Sequence, residues 1–130
     1  MEQSKQAKNL PTVETLEAIG DAFNRHDLEG VMSFFADDGV FYSTSGPEAF
    51  GTRYEGREAV QAFFAGMFKH IPDIRFEATH NWVSGNMGCS QWHCTGTRPD
   101  GGRMDWWGLD VFTFRDGKVI SKDSYFKQRT

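Results

Sequence analysis

The hydrophobic period of the chain changes once. Up to Ile71, apolar residues recur every three or four positions, and from Ile74 onward they alternate with polar ones. These two spacings separate an amphipathic helix from a half-buried strand. The chain places its helices ahead of its long strands. It is expected to be α+β, with helices covering one face of an antiparallel sheet.

Thr12 is placed to cap a helix over 12–25, whose stripe is Val13, Leu16, Ile19 and Phe23, with Glu14 and Glu17 near its positive end. Asp27 caps a shorter second helix with Leu28, Val31, Met32 and Phe35 on its apolar face, ending at Asp37-Asp38-Gly39. Val40 to Thr44 then reads as a strand and Ser45 to Tyr54 as a loop. Val60, Phe63, Phe64, Met67, Phe68 and Ile71 mark a third helix that Pro72 stops. Strands are expected over 74–82, 87–97, 103–115 and 118–127, joined by turns at Ser84-Gly85-Asn86, Asp100-Gly101-Gly102 and Asp116-Gly117. Residues 1–11 are polar and aperiodic and are expected to form a flexible tail, leaving 12–130 as a single domain.

Composition sharpens this reading. Phe, Trp and Tyr total 19, against 15 Ile, Leu and Val, and so many large flat side chains leave either an interlocked core or an aromatic-lined cavity. A net charge of −4 with no basic run argues against nucleic acid or an anionic membrane as partner. The longest apolar stretch, Ala62 to Phe68, is seven residues, where a membrane helix needs about 20. The opening MEQSKQAKNLP lacks the apolar centre of a signal peptide, so a cytoplasmic protein is expected. Cys89 and Cys94 stand an odd number apart on one expected strand and point to opposite faces, so both should be reduced.

Three segments carry a resemblance. Phe23-Asn24-Arg25-His26-Asp27-Leu28-Glu29-Gly30-Val31-Met32-Ser33-Phe34-Phe35-Ala36-Asp37-Asp38, Gly56-Arg57-Glu58-Ala59-Val60, and Gly108-Leu109-Asp110-Val111-Phe112-Thr113-Phe114-Arg115-Asp116-Gly117-Lys118-Val119 stand in the right order. Together they resemble the nuclear transport factor 2-like superfamily, in its SnoaL-like and ketosteroid isomerase-like branch, over about residues 12–127. The resemblance implies a cone-shaped, cystatin-like roll, three N-terminal helices packed on a curved antiparallel sheet that encloses a pocket. It implies no single activity, because the superfamily holds isomerases, polyketide cyclases, dehydratases, epoxide hydrolases and proteins without catalysis.

Asp110 is the foremost candidate for chemistry. It shares a strand face with Met104, Trp106, Gly108, Phe112 and Phe114, and a carboxyl desolvated among aromatics is favoured in its protonated form. Such a group serves as a neutral acid toward a carbonyl or enolate oxygen, or as a general base. Alternatively it accepts an indole N–H or pairs with Arg or Lys. The resemblance matches Asp110 to the oxyanion-hole aspartic acid of ketosteroid isomerase, a case already well characterised. It also places Ser43 where that enzyme keeps its general base and Ile19 where it keeps its tyrosine donor, so steroid isomerisation by the same trio is disfavoured.

Two further residues are candidates for assisting. His80 lies on the expected inward face between Ala78 and Trp82, and imidazole titrates near neutral pH. Tyr42 is a candidate pocket donor if a bulge redirects it. His26 is expected to serve the last carbonyls of the first helix, and Trp92 and Cys94 rather than His93 to face the cavity. Histidine and cysteine spacings match no metal motif, and the glycine pairs lack the context of a phosphate loop, so neither metal nor cofactor is expected. Asp37 and Asp38 are expected to terminate a helix rather than act as a catalytic dyad.

Strand parity sorts the tryptophans. Trp82, Trp92 and Trp106 are expected to line the pocket with Phe64 and Phe112. Trp107, Leu109 and Val111 point outward, a patch that in this superfamily commonly pairs two subunits, so a homodimer is expected. The expected ligand is a small hydrophobic organic molecule. Two functions follow: cofactor-independent proton transfer next to a carbonyl, as in isomerisation, cyclisation or dehydration by Asp110 with His80 or Tyr42, or non-catalytic binding or dimerisation on the same fold.

Overall fold

The computed structural model describes residues 9–130. Residues 1–8 of the expected tail lie outside them. Among the described residues no helix is long and apolar enough to cross a membrane.

Helix α1 spans Val13–Asn24. Thr12 caps it with Thr15: the Thr12 hydroxyl accepts from the Thr15 amide at 3.2 Å, and the Thr15 hydroxyl accepts from the Thr12 amide at 3.1 Å. His26, at φ 55°, turns the chain, and Asp27 accepts from the Gly30 amide at 3.0 Å to start α2, Leu28–Ser33.

Here the chain departs from expectation. The second helix stops at Ser33 instead of running to Asp37, and strand β1 already begins at Phe35 and ends at Tyr42. The Val119 amide takes the Phe34 carbonyl at 2.8 Å, which an α-helix would have kept for itself. Pairing then breaks: Phe35 faces Val119 but Val40 faces Ser121, so the chain from Ala36 to Gly39 bulges out. Asp38 on this bulge binds Arg115 at 2.6 Å, and that guanidinium holds its carboxyl below the usual value.

The expected loop carries a short strand, β2, Arg53–Glu55, antiparallel to β1. Gly51 has φ +85°, and a Cβ there would sit 2.2 Å from the Ser43 carbonyl oxygen, so the tight return needs glycine. Helix α3 covers Arg57–His70 and buries Val60 and Phe64.

The remaining strands are β3 (Arg75–Ser84), β4 (Met87–Thr97), β5 (Arg103–Arg115) and β6 (Lys118–Phe126). Asp116 and Gly117, both with positive φ, close the last hairpin. The sheet order is β2-β1-β6-β5-β4-β3, and β1 runs parallel to β6. The sheet is therefore mixed rather than purely antiparallel. Three helices pack on this curved, unclosed sheet of six strands, giving the expected α+β cone.

Two bulges bend the long strands. Ala78 faces Trp92 but His80 faces Gln91, which leaves Thr79 as an extra residue in β3. Thr113 faces Ser121 but Phe114 faces Val119, which leaves Ile120 extra in β6. Each extra residue reverses the face to which all later side chains on its strand point.

Strand β3 is a sheet edge, with unpaired backbone groups along one side. Asn24, the last residue of α1, closes part of it by donating to the Phe76 carbonyl and accepting from the Phe76 amide, both at 2.8 Å. Replacing Asn24 with Ala should cost about 2 kcal/mol, two hydrogen bonds lost to partly buried backbone groups. Urea denaturation measures it, and a change below about 0.5 kcal/mol would show that water replaces the side chain without loss.

Candidate functional site

A cavity of about 730 Å³ lies between the concave sheet face and helices α1 and α3. Its wall is mostly aromatic and aliphatic, with Phe23, Phe41, Phe64, Trp92, Met104 and Phe112 among the lining residues. Register lays one polar row across this wall. Asn81 on β3 faces Ser90 on β4, Ser90 faces Asp110 on β5, and Asp110 faces Ser124 on β6. All four line the cavity, as does Lys122, which shares a face of β6 with Ser124.

Asp110 is 8% exposed, and donors reach both of its oxygens. Oδ1 accepts from the Ser124 hydroxyl at 2.5 Å and from the Lys122 ammonium at 3.2 Å, while Oδ2 accepts from the Trp92 indole N–H at 3.1 Å. Lys122 also donates to Ser124 Oγ at 2.9 Å, closing a triangle of hydrogen bonds. Its Nζ stands 4.7 to 5.5 Å from the ring centroids of Phe41, Phe23 and Phe64, within the range of a cation–π contact. Of the two expectations for Asp110, the geometry is that of the alternative, a carboxyl that accepts an indole N–H and pairs with a lysine.

Trp92 reaches Asp110 because Gly108 lies beneath it. A Cβ at Gly108 would stand 2.5 Å from Trp92 Cη2 and 2.4 Å from the Tyr125 carbonyl oxygen. Only a residue without a side chain lets the indole lie against the sheet at this point.

Of the expected pocket residues, Trp92, Trp106, Phe112 and Phe64 line the cavity beside Asp110. Trp106 stacks on Phe126, with ring centroids 4.5 Å apart. The bulge at Thr79 overturns the placement of His80 and Trp82. Both face the outer side of the sheet, where Trp82 is 48% exposed, and Asn81 takes the inward position. Tyr42 is also outside the cavity: Arg53 Nε donates to its hydroxyl at 3.3 Å, and its ring packs edge-on against Phe50. Ser43 is committed to its loop, donating to the Ser45 carbonyl at 2.6 Å and accepting from the Thr52 amide at 3.3 Å. His26 serves α1 through its backbone amide, which donates to the Phe23 carbonyl at 2.9 Å, while its ring binds the Ile74 carbonyl at 2.7 Å.

Lys122, Ser124, Asn81 and Ser90 were missed by the sequence reading. For Ser90 the signal was present, since it shares the parity of Trp92 and Cys94. For the other three it was not. Counting outward from the Asp116-Gly117 turn without a bulge sets Lys122 opposite Val111, on the outer face; the extra Ile120 moves it opposite Phe112. Among the described residues, no group of three or more His, Cys, Asp or Glu side chains is placed to hold a metal ion.

A family model described as the SnoaL-like domain matches residues 16–122, and the chain belongs to that family. Solved structures share the whole fold. Bal32a, from a soil-derived mobile gene cassette, is 24% identical over 98% of this chain and 93% of its own, with a TM-score of 0.78. A nuclear transport factor 2-like protein of unknown function from Burkholderia pseudomallei is 24% identical over 88% of each chain, TM-score 0.76. TerC, co-crystallised with polyporic acid, is 20% identical over 88% of this chain and 90% of its own, TM-score 0.75. At these identities the likeness is one of fold. No curated protein matches the chain at a significant level.

Cys94 gives the cavity a probe. It lines the wall, and burial, helped by the charge of Asp110, pushes its thiol up to about 12 from a usual 9.0. Iodoacetamide at pH 8 should leave it unmodified until urea unfolds the chain, because the thiolate is the reactive form. The folded state also holds this proton more tightly than the unfolded one, so stability should fall as pH rises from about 9 toward 12. Cys94→Ala should flatten that decline, and an unchanged alkaline profile would assign it to other groups.

Proposed function

We propose that the cavity binds a small, largely apolar carbonyl compound and that the protein moves a proton at the carbon beside the carbonyl. The observation that carries this reading is the Asp110–Lys122 ion pair, whose side chains are 11% and 8% exposed and line an otherwise largely apolar cavity. Burying two charges is seldom the most stabilising use of interior space, whereas a convergent charged pair in an apolar pocket is what a reactive site requires.

The chemistry divides between the two groups. The Lys122 ammonium receives the carbonyl oxygen and holds the negative charge that grows there as an enolate forms. The Asp110 carboxylate takes the proton from the adjacent carbon and then gives it up, to another carbon in isomerisation or to a β-hydroxyl that leaves as water in dehydration. Ser124 and Trp92 hold the carboxylate in place meanwhile. Isomerisation, ring closure and dehydration all begin with this step.

The measurement is deuterium exchange at the α-carbon of 1-tetralone, followed by NMR. The wild-type protein should accelerate it, Asp110→Asn should lower the rate by about 10²- to 10⁴-fold, and Lys122→Met by about 10²- to 10³-fold. One set of facts favours a second reading, a binding module without catalysis: His80 and Tyr42 face away from the cavity and Ser43 is tied to its loop. Tight binding of the ketone with exchange indifferent to Asp110→Asn would decide for it.

We further propose that the outer sheet face pairs two copies of the chain. Trp107 stacks on His93 there and is 48% exposed, near Leu109 and Val111 and with Tyr125 55% exposed, a patch of the kind that marks an interface. Sedimentation equilibrium should return a dimer for the wild type and a folded monomer for Trp107→Glu; a wild-type monomer would refute the pairing.

A further inference from the structure

Residues four apart on a helix stand one above the other on the same face. On α1, Leu16, Gly20 and Asn24 form such a row, and the row is fastened to the sheet at both ends. Leu16 lies over Gly88 of β4, where a Cβ would stand 3.0 Å from its Cδ2, and Asn24 holds Phe76 of β3 by two hydrogen bonds. Gly20 lies between them and meets nothing: apart from its own helix turn, a Cβ there would have no atom within 4 Å. Glycine inside a helix is less stable than alanine, and positive φ or the close approach of another element usually accounts for it. Gly20 has neither.

The facing strand thins out at the same level. Phe76, Ala78, Asn81 and Val83 are the inward residues of β3, opposite Cys94, Trp92, Ser90 and Gly88. Ala78 has the smallest side chain of the four and is exposed although it lies on the concave face, and both it and Gly20 line the cavity. We propose that the gap between α1 and β3 is a lateral doorway to the Asp110–Lys122 pair, and that Gly20 and Ala78 set its width. It is separate from the end of the cavity lined by Ile71, Pro99 and Trp106. Ala78 faces Trp92, whose indole binds Asp110, so the doorway opens beside the charged pair. This inference rests on the reading of the cavity as a ligand site and adds the route of entry and the residues that limit what can pass.

Stopped-flow fluorescence with 1-tetralone measures entry and exit separately, since Trp92 and Trp106 line the cavity. In Gly20→Leu and in Ala78→Leu, association and dissociation should both slow by about tenfold while Kd changes by less than about twofold, because a narrowed passage raises the barrier and leaves the bound state alone. Two variants on separate elements keep the test open should one fail to fold. Rates unchanged in the folded variants, or a weaker Kd with association unchanged, would overturn the doorway while the carbonyl site stands. Gly20→Ala should raise Tm by about 3 °C; a lower Tm would mean that the space is already filled and would likewise overturn it. If 1-tetralone does not bind the wild type, the carbonyl reading falls, and acrylamide quenching of Trp92 and Trp106 decides the doorway by itself. In a Trp82→Phe, Trp107→Phe background, which removes the two tryptophans exposed on the outer face, Gly20→Leu should lower the quenching constant about twofold, and an unchanged constant refutes the doorway.

Discussion

Lys122 can occupy the interior because groups that compensate for lost water stand around its ammonium where it does not face the cavity. Asp110 and Ser124 meet it on β5 and β6, and three phenylalanine rings meet it from elsewhere: Phe23 from α1, Phe41 from β1 and Phe64 from α3. An ion pair buried without such company would be strongly unfavourable, and breaking one by removing a single partner typically costs about 3–5 kcal/mol. The charge is thus in contact with its own strand, β6, and with four other elements. The aromatic excess in the composition finds its purpose here, since aliphatic side chains have no negative face to offer a cation.

The same geometry explains what could be read without coordinates. Helices α1 and α3, the strand order of the long hairpins and the inward parity of Asp110, Trp92 and Phe112 all follow from local periodicity, which both sequence and structure obey. Thr12 and Asp27 cap where their side-chain chemistry demands. What escaped was decided across strands. Thr79 and Ile120 carry no mark that makes them bulge residues, yet the first turns His80 out and Asn81 in, and the second brings in Lys122. The early end of α2 likewise depends on the Val119 amide, far along the chain, competing for the Phe34 carbonyl. Periodicity cannot report an interaction whose partner is remote.

The result is a cavity whose buried charged pair comes from β5 and β6 while another part of its wall comes from helices and the edge strand. One scaffold can carry many chemistries, and this chain has Asp110 at the carboxyl position that the resemblance singles out, with Ile19 and Ser43 at the positions matched to the tyrosine and the second carboxylate. Lys122 and Ser124 occupy the space beside Asp110 instead. Function in such a scaffold follows from the side chains that bulges deliver to its concave face.

The parallel pairing of β1 with β6 bears on how the molecule comes into being. Phe35 and Val119 are neighbours in the sheet but far apart along the chain, and closing so long a loop is entropically slow compared with forming a helix or hairpin. During synthesis the helices and the β3–β4 hairpin can form while β6 is still unmade. Until β6 arrives, Asp110 has neither its ammonium nor its hydroxyl, and the aromatic rings that will surround Lys122 have nothing between them. The cavity is therefore among the last features to take shape, and a nascent chain exposes its stickiest surface just before it becomes competent to bind anything.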